Sequence, residues 1–597
     1  MDPVSAMSGI VGLFSACRNC YAFFEQIKNA EKDMRLMMTF LDIEASSLQS
    51  WGHAWGIYPE DKSRLSKLED DLKQNSKKEH GVATTLLGIA ELLTNDRNLL
   101  KKYDVRLRLT DGQGKGKGPK NHRRPIKSME KIPILKALDL NKAVMEDRIG
   151  LLKRCKWTIR GSKNRFSELL EALRHFNNSL YRLCPEMTRH DISLFRYMDF
   201  LDGHDESFML YEASEQTSQL AQDEKDPVTK RELKQLVDMM RLKSKAGFYN
   251  TKPVTDNERC SLLNYQPQMF TVRQERERES STLATLRVPS GALSMVYVEY
   301  KSYKDNEGKK SLGRRDDSLK LGRLMLNRES SDQLNIMTCL GLFEDGVNER
   351  IGFVFKLPSP LGSLLSWEVC EPRRLLNILS RNKVPFGLDW RLNLAKRLVH
   401  NVIRLHAVGW LHKNIRSDSI LLFLKSPFQP VVSPEKSYCE PYLMGYDFIR
   451  IEADPSANYK LVSPQGTGMN TNTAAPHQIN HGLDKRPDIY HHPAKRSNPD
   501  RSYQYAYDIY SLGLLLVEIG LWKSLYTIVA GRQFNPIQLQ EYMLGVVNSE
   551  VVGACGPIYA NVVRTFITME SAQNPDTMKN QRDTCAKMAS ELSRCVV

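Results

Sequence analysis

Polar side chains that could take part in proton transfer or metal binding are concentrated in residues 409–423, GWLHKNIRSDSILLF. His412, Asn414 and Ser419 precede the apolar run 420–423, which predicts a short buried strand. The amide of Asn414 is neutral and cannot act as a general base. The hydroxyl of Ser419 is a weak ligand for Mg²⁺. At positions 414 and 419 the stretch therefore offers neutral polar groups in place of a base and a metal ligand.

The same stretch resembles the catalytic loop of protein kinases, His-Arg-Asp-Leu followed by three variable residues and Asn. His412 keeps the family residue. By this resemblance Asn414 stands at the position of the aspartate that accepts the substrate proton, and Ser419 at that of the metal-binding asparagine. The resemblance implies a kinase scaffold in which both positions are degenerate, so we predict no catalytic residue there.

The alternating segment 294–303, SMVYVEYKSY, predicts a strand. Its end resembles the kinase Val-Ala-Ile-Lys motif, which implies that Lys301 contacts nucleotide phosphates. The next predicted helix, 317–327, contains no glutamate, and Glu329 follows it too late. We therefore expect Lys301 to lack a salt-bridge partner. The alternative is an exposed strand lysine without a role in nucleotide binding.

The segment 442–450, YLMGYDFIR, resembles the kinase strand that ends in the metal-binding Asp-Phe-Gly motif. In the favoured alignment Gly445 replaces the aspartate; in the other, Asp447 keeps it but the motif glycine is lost. Upstream of Lys301, only Gly291 is found where a glycine-rich phosphate loop is expected. In the favoured alignment magnesium has lost both protein ligands. We predict no metal site, and ATP without magnesium is the one cofactor left open.

The strongest motif is 507–519, YDIYSLGLLLVEI, which resembles kinase helix F. The resemblance implies that Asp508 holds the backbone of the catalytic loop and that Gly513 is structural. Pro493 keeps the proline of the Ala-Pro-Glu motif, and the polar segment 452–487 corresponds to the activation loop. All three residues are architectural, so their presence fits a kept fold with lost chemistry.

Residues 4–24 are apolar and small, with Ile10, Leu13 and Phe14 at helical spacing and Arg18 as the one charge. Comparable helical patterns recur along the first third of the chain, at 32–55, 62–72, 82–93, 138–157 and 164–183. Strand signals are sparse there. We predict an all-α bundle.

Several short blocks in this part are similar to the HeLo domain of fungal incompatibility and cell-death proteins. They are GIVGLFSAC at 9–17, LDIE at 41–44, WG at 51–52, KW at 156–157 and the FxxLLE pattern at 166–171. The resemblance covers about residues 1–215. It implies a membrane-perturbing bundle whose first helix can leave the fold, with Ile10, Leu13 and Phe14 as the membrane-active candidates.

The free-energy contributions for and against membrane insertion of residues 4–24 are of similar size. Arg18 in mid-span costs roughly 2.5–3.5 kcal/mol on insertion scales, and small residues such as Gly9 and Gly12 are tolerated in membrane helices. The alternative is that residues 4–24 form only the central core helix. The basic loop 111–127 could bind anionic lipid, at roughly 1 kcal/mol per basic residue, or simply add solubility.

The chain has 597 residues, a net charge of +15 and 11 cysteines. The positive charge favours anionic partners or is spread over solvated faces. Cys17 and Cys20 form the one C-x-x-C pair, without nearby histidines, which favours buried free thiols in a reducing compartment. There is no evident secretory signal and no nucleic-acid module. We expect a cytoplasmic protein with conditional recruitment to the plasma membrane.

Together these patterns predict a multidomain chain: a HeLo-like bundle (1–215), a helical connector or linker (216–282) and an α+β bilobal kinase-like domain (283–597). The kinase-like part divides into lobes at 283–358 and 359–597. We predict a pseudokinase that controls the bundle in heterokaryon incompatibility or regulated cell death. Self-association through the bundle and anionic lipids are the expected interactions, and the upstream partner stays open. The alternatives are an active divergent kinase and a cytosolic scaffold without membrane action.

Overall fold

A computed structural model describes residues 3–24, 32–57, 62–103, 105–109, 155–159, 163–202, 204, 206–225, 227–272, 281–288, 291–304, 309–326, 334–358, 372–381, 386–423, 441–445, 487–498, 501, 503–572 and 574–595. The chain divides into two compact units, Met1–Met240 and Arg241–Val597. The basic loop 111–127, the charge run 273–279 and most of the segment 452–487 lie outside the described residues.

The first unit is mainly helical. Its helices are α1 (Pro3–Phe24), α2 (Lys32–Trp55), α3 (Lys62–Lys73), α4 (Ser76–Thr94), α5 (Asp96–Lys101), α6 (Lys163–Arg182), α7 (Glu186–Asp202), α8 (Ser207–Asp223) and the first part of α9 (Pro227–Thr251). Side-chain caps set some of the starts, since Asn75 accepts a hydrogen bond from the N–H of Lys78 at the start of α4.

Helix α1 packs against α2 and α4. Ile10, Leu13 and Phe14 are all at most 5% exposed, so the apolar face of α1 lies in the core. Phe14 approaches α2 so closely that a Cβ added at Gly52 would overlap its ring. The absence of a side chain at position 52 is therefore what admits the Phe14 ring.

A buried carboxylate joins α2 to α6. Glu44 is 1% exposed and accepts hydrogen bonds from Arg174 Nε at 3.1 Å and from Asn177 Nδ2 at 2.9 Å. The guanidinium supplies the opposite charge that a desolvated carboxylate requires. This network fixes the register of α6 on α2 with polar contacts inside an apolar core.

The prediction that the first region is all-α is wrong at one place. Val105–Leu109 (β1) and Cys155–Ile159 (β2) form an antiparallel pair, with Leu107 opposite Trp157. The helix predicted for 138–157 therefore does not extend through 155–157, and residues 138–154 lie outside the described residues. Both strands alternate apolar and polar residues over five positions. A run this short is easily absorbed into a neighbouring helical pattern.

Between residues 189 and 262 the polar region is mainly helical where the structure describes it. Helices α7 and α8 pack on α2. Helix α10 (Asp256–Leu262) follows α9 and begins with a capping box, in which Thr255 and Glu258 bond each other's backbone N–H.

The second unit contains a five-stranded antiparallel sheet in the order β3-β4-β5-β7-β6. Its strands are β3 (Phe270–Val272), β4 (Ser281–Arg287), β5 (Leu293–Ser302), β6 (Cys339–Asp345) and β7 (Arg350–Lys356). Val296 and Val298 of β5 belong to the core cluster on one face of the sheet. Glu299 and Lys301 lie on the opposite face, because side chains alternate along a strand.

The rest of this unit is largely helical, with a small three-stranded sheet in the order β10-β9-β8. Its elements are α11 (Leu312–Met325), β8 (Arg373–Arg374), α12 (Leu375–Arg381), α13 (Leu388–Ala407), β9 (Ile420–Leu422), β10 (Tyr442–Leu443), α14 (Pro493–Ser497), α15 (Tyr505–Leu521), α16 (Leu525–Ile528), α17 (Pro536–Val546), α18 (Val552–Ile567) and α19 (Pro575–Ser593). The residues of α15 are buried from Tyr505 to Gly520, so this helix is the centre of the core. The unit is thus α+β.

Candidate functional site

The loop between α13 and β9 is held by the carboxylate of Asp508, which is fully buried near the start of α15. Its Oδ2 atom accepts hydrogen bonds from the His412 N–H (2.6 Å) and the His406 ring (3.0 Å), and Oδ1 accepts from the Lys413 N–H (2.8 Å) and the Tyr503 hydroxyl (3.0 Å). Burial raises the pKa of Asp508, but the bonds to His406 and His412 outweigh it and the pKa is lowered. The carboxylate therefore stays charged.

Those bonds also hold an unusual backbone. Lys413 has φ +64°, in the left-handed region that side chains other than glycine rarely adopt. The hydrogen bond from its N–H to Asp508 fixes this conformation. The next residue, Asn414, reaches the segment after β10, where its side chain donates to the carbonyl of Gly445.

His412 lies fully buried between these groups. Burial lowers the pKa of its ring to about 4; the charge of Asp508 opposes this shift and that of Lys301 adds to it. The ring is therefore neutral near pH 7, and its Nδ1 atom accepts the N–H of Asn414 at 3.2 Å. His412 thus shapes the loop and does not supply a positive charge.

Asn414, Ser419 and Gly445 come together as neighbours. The Asn414 amide donates to the carbonyl of Gly445 at 2.8 Å, and the Ser419 carbonyl accepts the N–H of Met444 at 2.8 Å. The Ser419 hydroxyl donates to the carbonyl of Arg416 at 2.8 Å. The three positions assigned from the motifs are therefore adjacent in space. Their polar groups form hydrogen bonds with the backbone of the same chain.

Lys301 lies close to the same place, and the expectation that it lacks a salt-bridge partner is wrong. Its ammonium is 3.2 Å from Oε1 of Glu299, and both side chains are 10% exposed. The other oxygen, Oε2, accepts the N–H of Gly445 at 3.2 Å. The search along the next helix missed this partner, although residues two apart on a strand share a face.

A partly exposed arginine, Arg374, joins the loop to the sheet. Arg374 donates to Oδ2 of Asp418 at 2.8 Å and to the Ser281 hydroxyl at 2.6 Å. Tyr297, beside them, is 4% exposed, and burial raises its pKa to about 12. Sequence analysis assigned none of these four residues. The strand pairing that brings Ser281 opposite Glu299 could have pointed to Ser281.

Gly513 and Pro493 have structural surroundings. A Cβ at Gly513 would lie 3.0 Å from side-chain atoms of Ile567 and Phe566, so α15 and α18 approach closely there. Pro493 is the first residue of α14. Its neighbour His492 caps that helix, because Nδ1 accepts the Ala494 N–H and Nε2 donates to the carbonyl of Met569. His492 is thus a neutral structural residue.

Among the residues that the structure describes, no group of three His, Cys, Asp or Glu side chains could hold a metal ion. The alternative metal-motif alignment through Asp447 lies outside the described residues. At the favoured position, Gly445 has φ +76° and its carbonyl is already bonded by Asn414. The described part of the site therefore offers hydrogen-bond donors and one lysine–glutamate pair.

The membrane-active candidates of α1 lie in the other unit. They are buried, as described above, and Cys17 on the same helix donates to the carbonyl of Leu86 in α4 at 3.2 Å. The prediction of buried free thiols is confirmed for Cys17 and Cys20. Burial raises the pKa of Cys20 to about 12. Across the part of the chain that is described, no helix combines the length and the hydropathy needed to cross a bilayer.

Comparison with known proteins identifies the first region. Residues 4–199 match the HeLo family model, described as prion-inhibition and propagation. The predicted HeLo resemblance of the N-terminal region is thereby confirmed. No curated protein matches the chain.

Proposed function

We propose that this chain is a signalling protein of fungal incompatibility and regulated cell death. Its HeLo bundle perturbs membranes, and its C-terminal unit is a pseudokinase that controls the bundle. The observation that carries the proposal is the HeLo match over residues 4–199, together with the burial of Ile10 and Phe14 in that bundle. A protein that acts on membranes only when activated must keep its apolar helix away from lipid until then, and burial in the bundle does this.

The proposed membrane action is conditional. The apolar face of α1 is covered by α2 and α4, so lipid contact requires α1 to leave them. The hydropathy of α1 is below that of a constitutive span. We therefore propose insertion by several associated copies, in which small residues allow close approach between helices. The resting protein is cytoplasmic in this proposal and moves to the anionic plasma membrane on activation.

The pseudokinase assignment rests on the motif resemblance and on the geometry of the loop. The Asp508 carboxylate and the buried helix α15 support a retained kinase scaffold. The Asn414 amide takes the place of a base, and Gly445 the place of an acidic metal ligand. Of the carboxylates described near them, Glu299 is paired with Lys301. Phosphoryl transfer depends on positioned charge and metal, so we propose that this unit does not catalyse it.

A liposome leakage assay tests the membrane function. The fragment Met1–Met240, checked for helicity by circular dichroism, is expected to release dye from anionic vesicles, and the full chain to release much less. Ile10→Glu with Phe14→Glu should reduce leakage by the fragment at least 10-fold, because two buried charges in α1 oppose its entry into lipid.

The matched control is Leu86→Glu with Ile89→Glu, which places two charges in the same core but on α4, where both residues are fully buried. Leakage should survive this change, since α1 is intact. Equal loss in both double variants, or no leakage by the unsubstituted fragment, would remove the proposed membrane action.

A phosphotransfer assay tests the other half of the proposal. The full chain with ATP, Mg²⁺ or Mn²⁺ and a generic protein substrate should transfer phosphate no faster than a Lys301→Met variant. Transfer at an ordinary kinase rate that Lys301→Met abolishes would establish the active-kinase alternative instead.

A further inference from the structure

The carboxylate of Glu299 occupies a position defined by donors from two separate elements. Its Oε1 atom is 3.2 Å from the Lys301 ammonium on β5, and its Oε2 atom accepts the N–H of Gly445 after β10. These atoms are far apart in the chain and meet only around this side chain. With both ionic side chains 10% exposed, the arrangement is largely closed to water.

An ammonium and a backbone N–H that converge on one point form an anion site. Charged donors and acceptors of this kind make stronger and shorter hydrogen bonds than neutral pairs. The left-handed backbone at Gly445, φ +76°, lets its N–H point at the acceptor without a side chain in the way. A phosphoryl oxygen has the same charge and acceptor character as the carboxylate oxygen found there.

The surroundings leave the carboxylate little freedom to move away. Tyr297 and Phe353, on the same sheet face as Glu299, are 4% and 1% exposed, and Phe353 lies directly opposite Glu299 in the pairing of β5 with β7. A ligand that entered here would have to displace Glu299 and also open this packed face.

We propose that Glu299 is a built-in occupant of a phosphate position, so that the wild-type cleft excludes phosphorylated nucleotides and free phosphate. Removing the carboxylate turns Lys301 and the Gly445 N–H into a site for a phosphoryl group. The choice of nucleotide as the probe rests on the proposed pseudokinase function. The anion site itself rests on the contacts of Glu299.

The Glu299 carboxylate excludes free phosphate and nucleotide because it is covalently attached to the chain beside the site. A group attached by a short stretch of chain acts at an effective concentration of about a millimolar or more. Glu299 is also held on a strand and is already largely removed from water. A free ligand would have to lose both its motional freedom and its hydration in order to bind there. Millimolar nucleotide therefore competes poorly with it.

The test is calorimetric titration of the full chain with ATP and, in a separate arm, with inorganic phosphate, each with and without Mg²⁺. Wild type should give no saturable binding up to about 1 mM ligand, an effective concentration typical of tethering. Glu299→Ala should bind ATP with a Kd at least 10-fold below that concentration. Adding Lys301→Met to this variant should abolish the binding. Binding of ATP alone identifies a nucleotide site; binding of both ligands identifies a general phosphate site. Either outcome supports the proposal.

Glu299→Val provides a second variant, which removes the acceptor oxygens beside Lys301 and suits a strand, in case Glu299→Ala fails to fold. Glu344→Ala is the matched control, because Glu344 is also ion-paired in this sheet, with Arg315 at 2.6 Å, and should gain no ligand. Lys301-dependent ATP binding by wild type, or no gain by the folded Glu299 variants, overturns the inference. Neither result changes the leakage or phosphotransfer tests, so the two proposals fail separately.

Discussion

Four donors converge on the two oxygens of Asp508, and three of them belong to the segment that α15 holds in place: His406, His412 and Lys413. A charge can be buried this deeply only because each oxygen accepts two hydrogen bonds. These four hydrogen bonds define the conformation of the loop.

Glu518 shows the opposite electrostatic behaviour in the same helix. Its Oε1 atom accepts from the Tyr490 hydroxyl, the Ser417 hydroxyl and the Leu525 N–H, at 2.7–3.1 Å. Burial, without a cation to offset it, raises the pKa of Glu518 from 4.5 to about 7. Between those two values the folded chain holds a proton that the unfolded chain has released.

This proton makes stability depend on pH. The contribution of Glu518 is full below about pH 4.5 and is lost as pH rises through about 7. Glu518→Gln should remove that loss and raise the free energy of unfolding at pH 8.5 by roughly 1–3 kcal/mol relative to wild type, with little change at pH 4.5. Thermal unfolding at both pH values measures it.

The control for Glu518→Gln is Glu550→Gln, because the Glu550 side chain is 52% exposed and pairs loosely with Lys523. It should leave the pH dependence unchanged. An equal fall in stability with pH in Glu518→Gln and wild type would contradict the assignment to Glu518.

At the scale of single residues, the motifs predict which residues lie together but not the partners to which they bond. Asn414, Ser419 and Gly445 do lie together, since a loop between a helix and a strand limits where they can be. The pairs made by Lys301 with Glu299 and by Arg374 with Asp418 were missed. The second joins residues 44 positions apart, and no local pattern encodes such a contact.

At the scale of the elements, shape complementarity between α1 and α2 holds α1 in the bundle, in addition to the burial of its apolar residues. The Phe14 ring lies over Gly52 on α2, where even a methyl group would overlap it. Phe14 also contacts Trp51, with the ring centroids 6.0 Å apart. The contact between α1 and α2 is therefore a point at which one small change should loosen the first helix.

Gly52→Ala should destabilise the bundle by roughly 1–3 kcal/mol, because the added methyl group overpacks the site. Phe14→Leu in the same chain should recover part of the loss by removing the overlapping ring atoms. Thermal unfolding of the full chain reports both effects, and limited proteolysis at α1 shows whether this helix is the part released.

The matched control is Gly12→Ala on α1, where an added Cβ meets nothing within 4 Å. Alanine there should be neutral or stabilising by up to about 1 kcal/mol, since glycine disfavours helix interiors. If Gly52→Ala behaved in the same way, the close contact with Phe14 would not be restraining α1.

The long helices could be predicted because their patterns span many turns; α1 and α2 begin and end within one residue of the predicted limits. The pair β1–β2 could not, because each strand has five residues and its partner is about 50 positions away. Strand β5 was predicted from ten alternating residues. The short strand β9 was also predicted, from the apolar run 420–423.

For the whole molecule, the relevant quantity is the net charge of +15. Part of the positive charge lies in the loop 111–127, which is outside the described residues. Attraction between this charge and an anionic bilayer falls with salt, because the Debye length shortens from about 10 Å at 0.1 M to about 3 Å at 1 M.

We expect the full chain to sediment with vesicles that contain phosphatidylserine and not with zwitterionic vesicles, and to be released at about 1 M salt, where screening is strong. Glutamine at the six basic positions of the loop should weaken binding at least 10-fold if the loop is the contact. The six are Lys115, Lys117, Lys120, Arg123, Arg124 and Lys127. Vesicle binding that does not depend on salt concentration or on lipid charge would contradict an electrostatic interaction with the membrane.

The backbone at Gly445 also limits which residues position 445 can accept. An aspartate there would have to adopt a left-handed conformation, with its Cβ 3.1 Å from the amide nitrogen of Asn414. A side chain at position 445 should therefore be accepted only together with a change at position 414. Among related sequences these two positions are expected to vary as a pair.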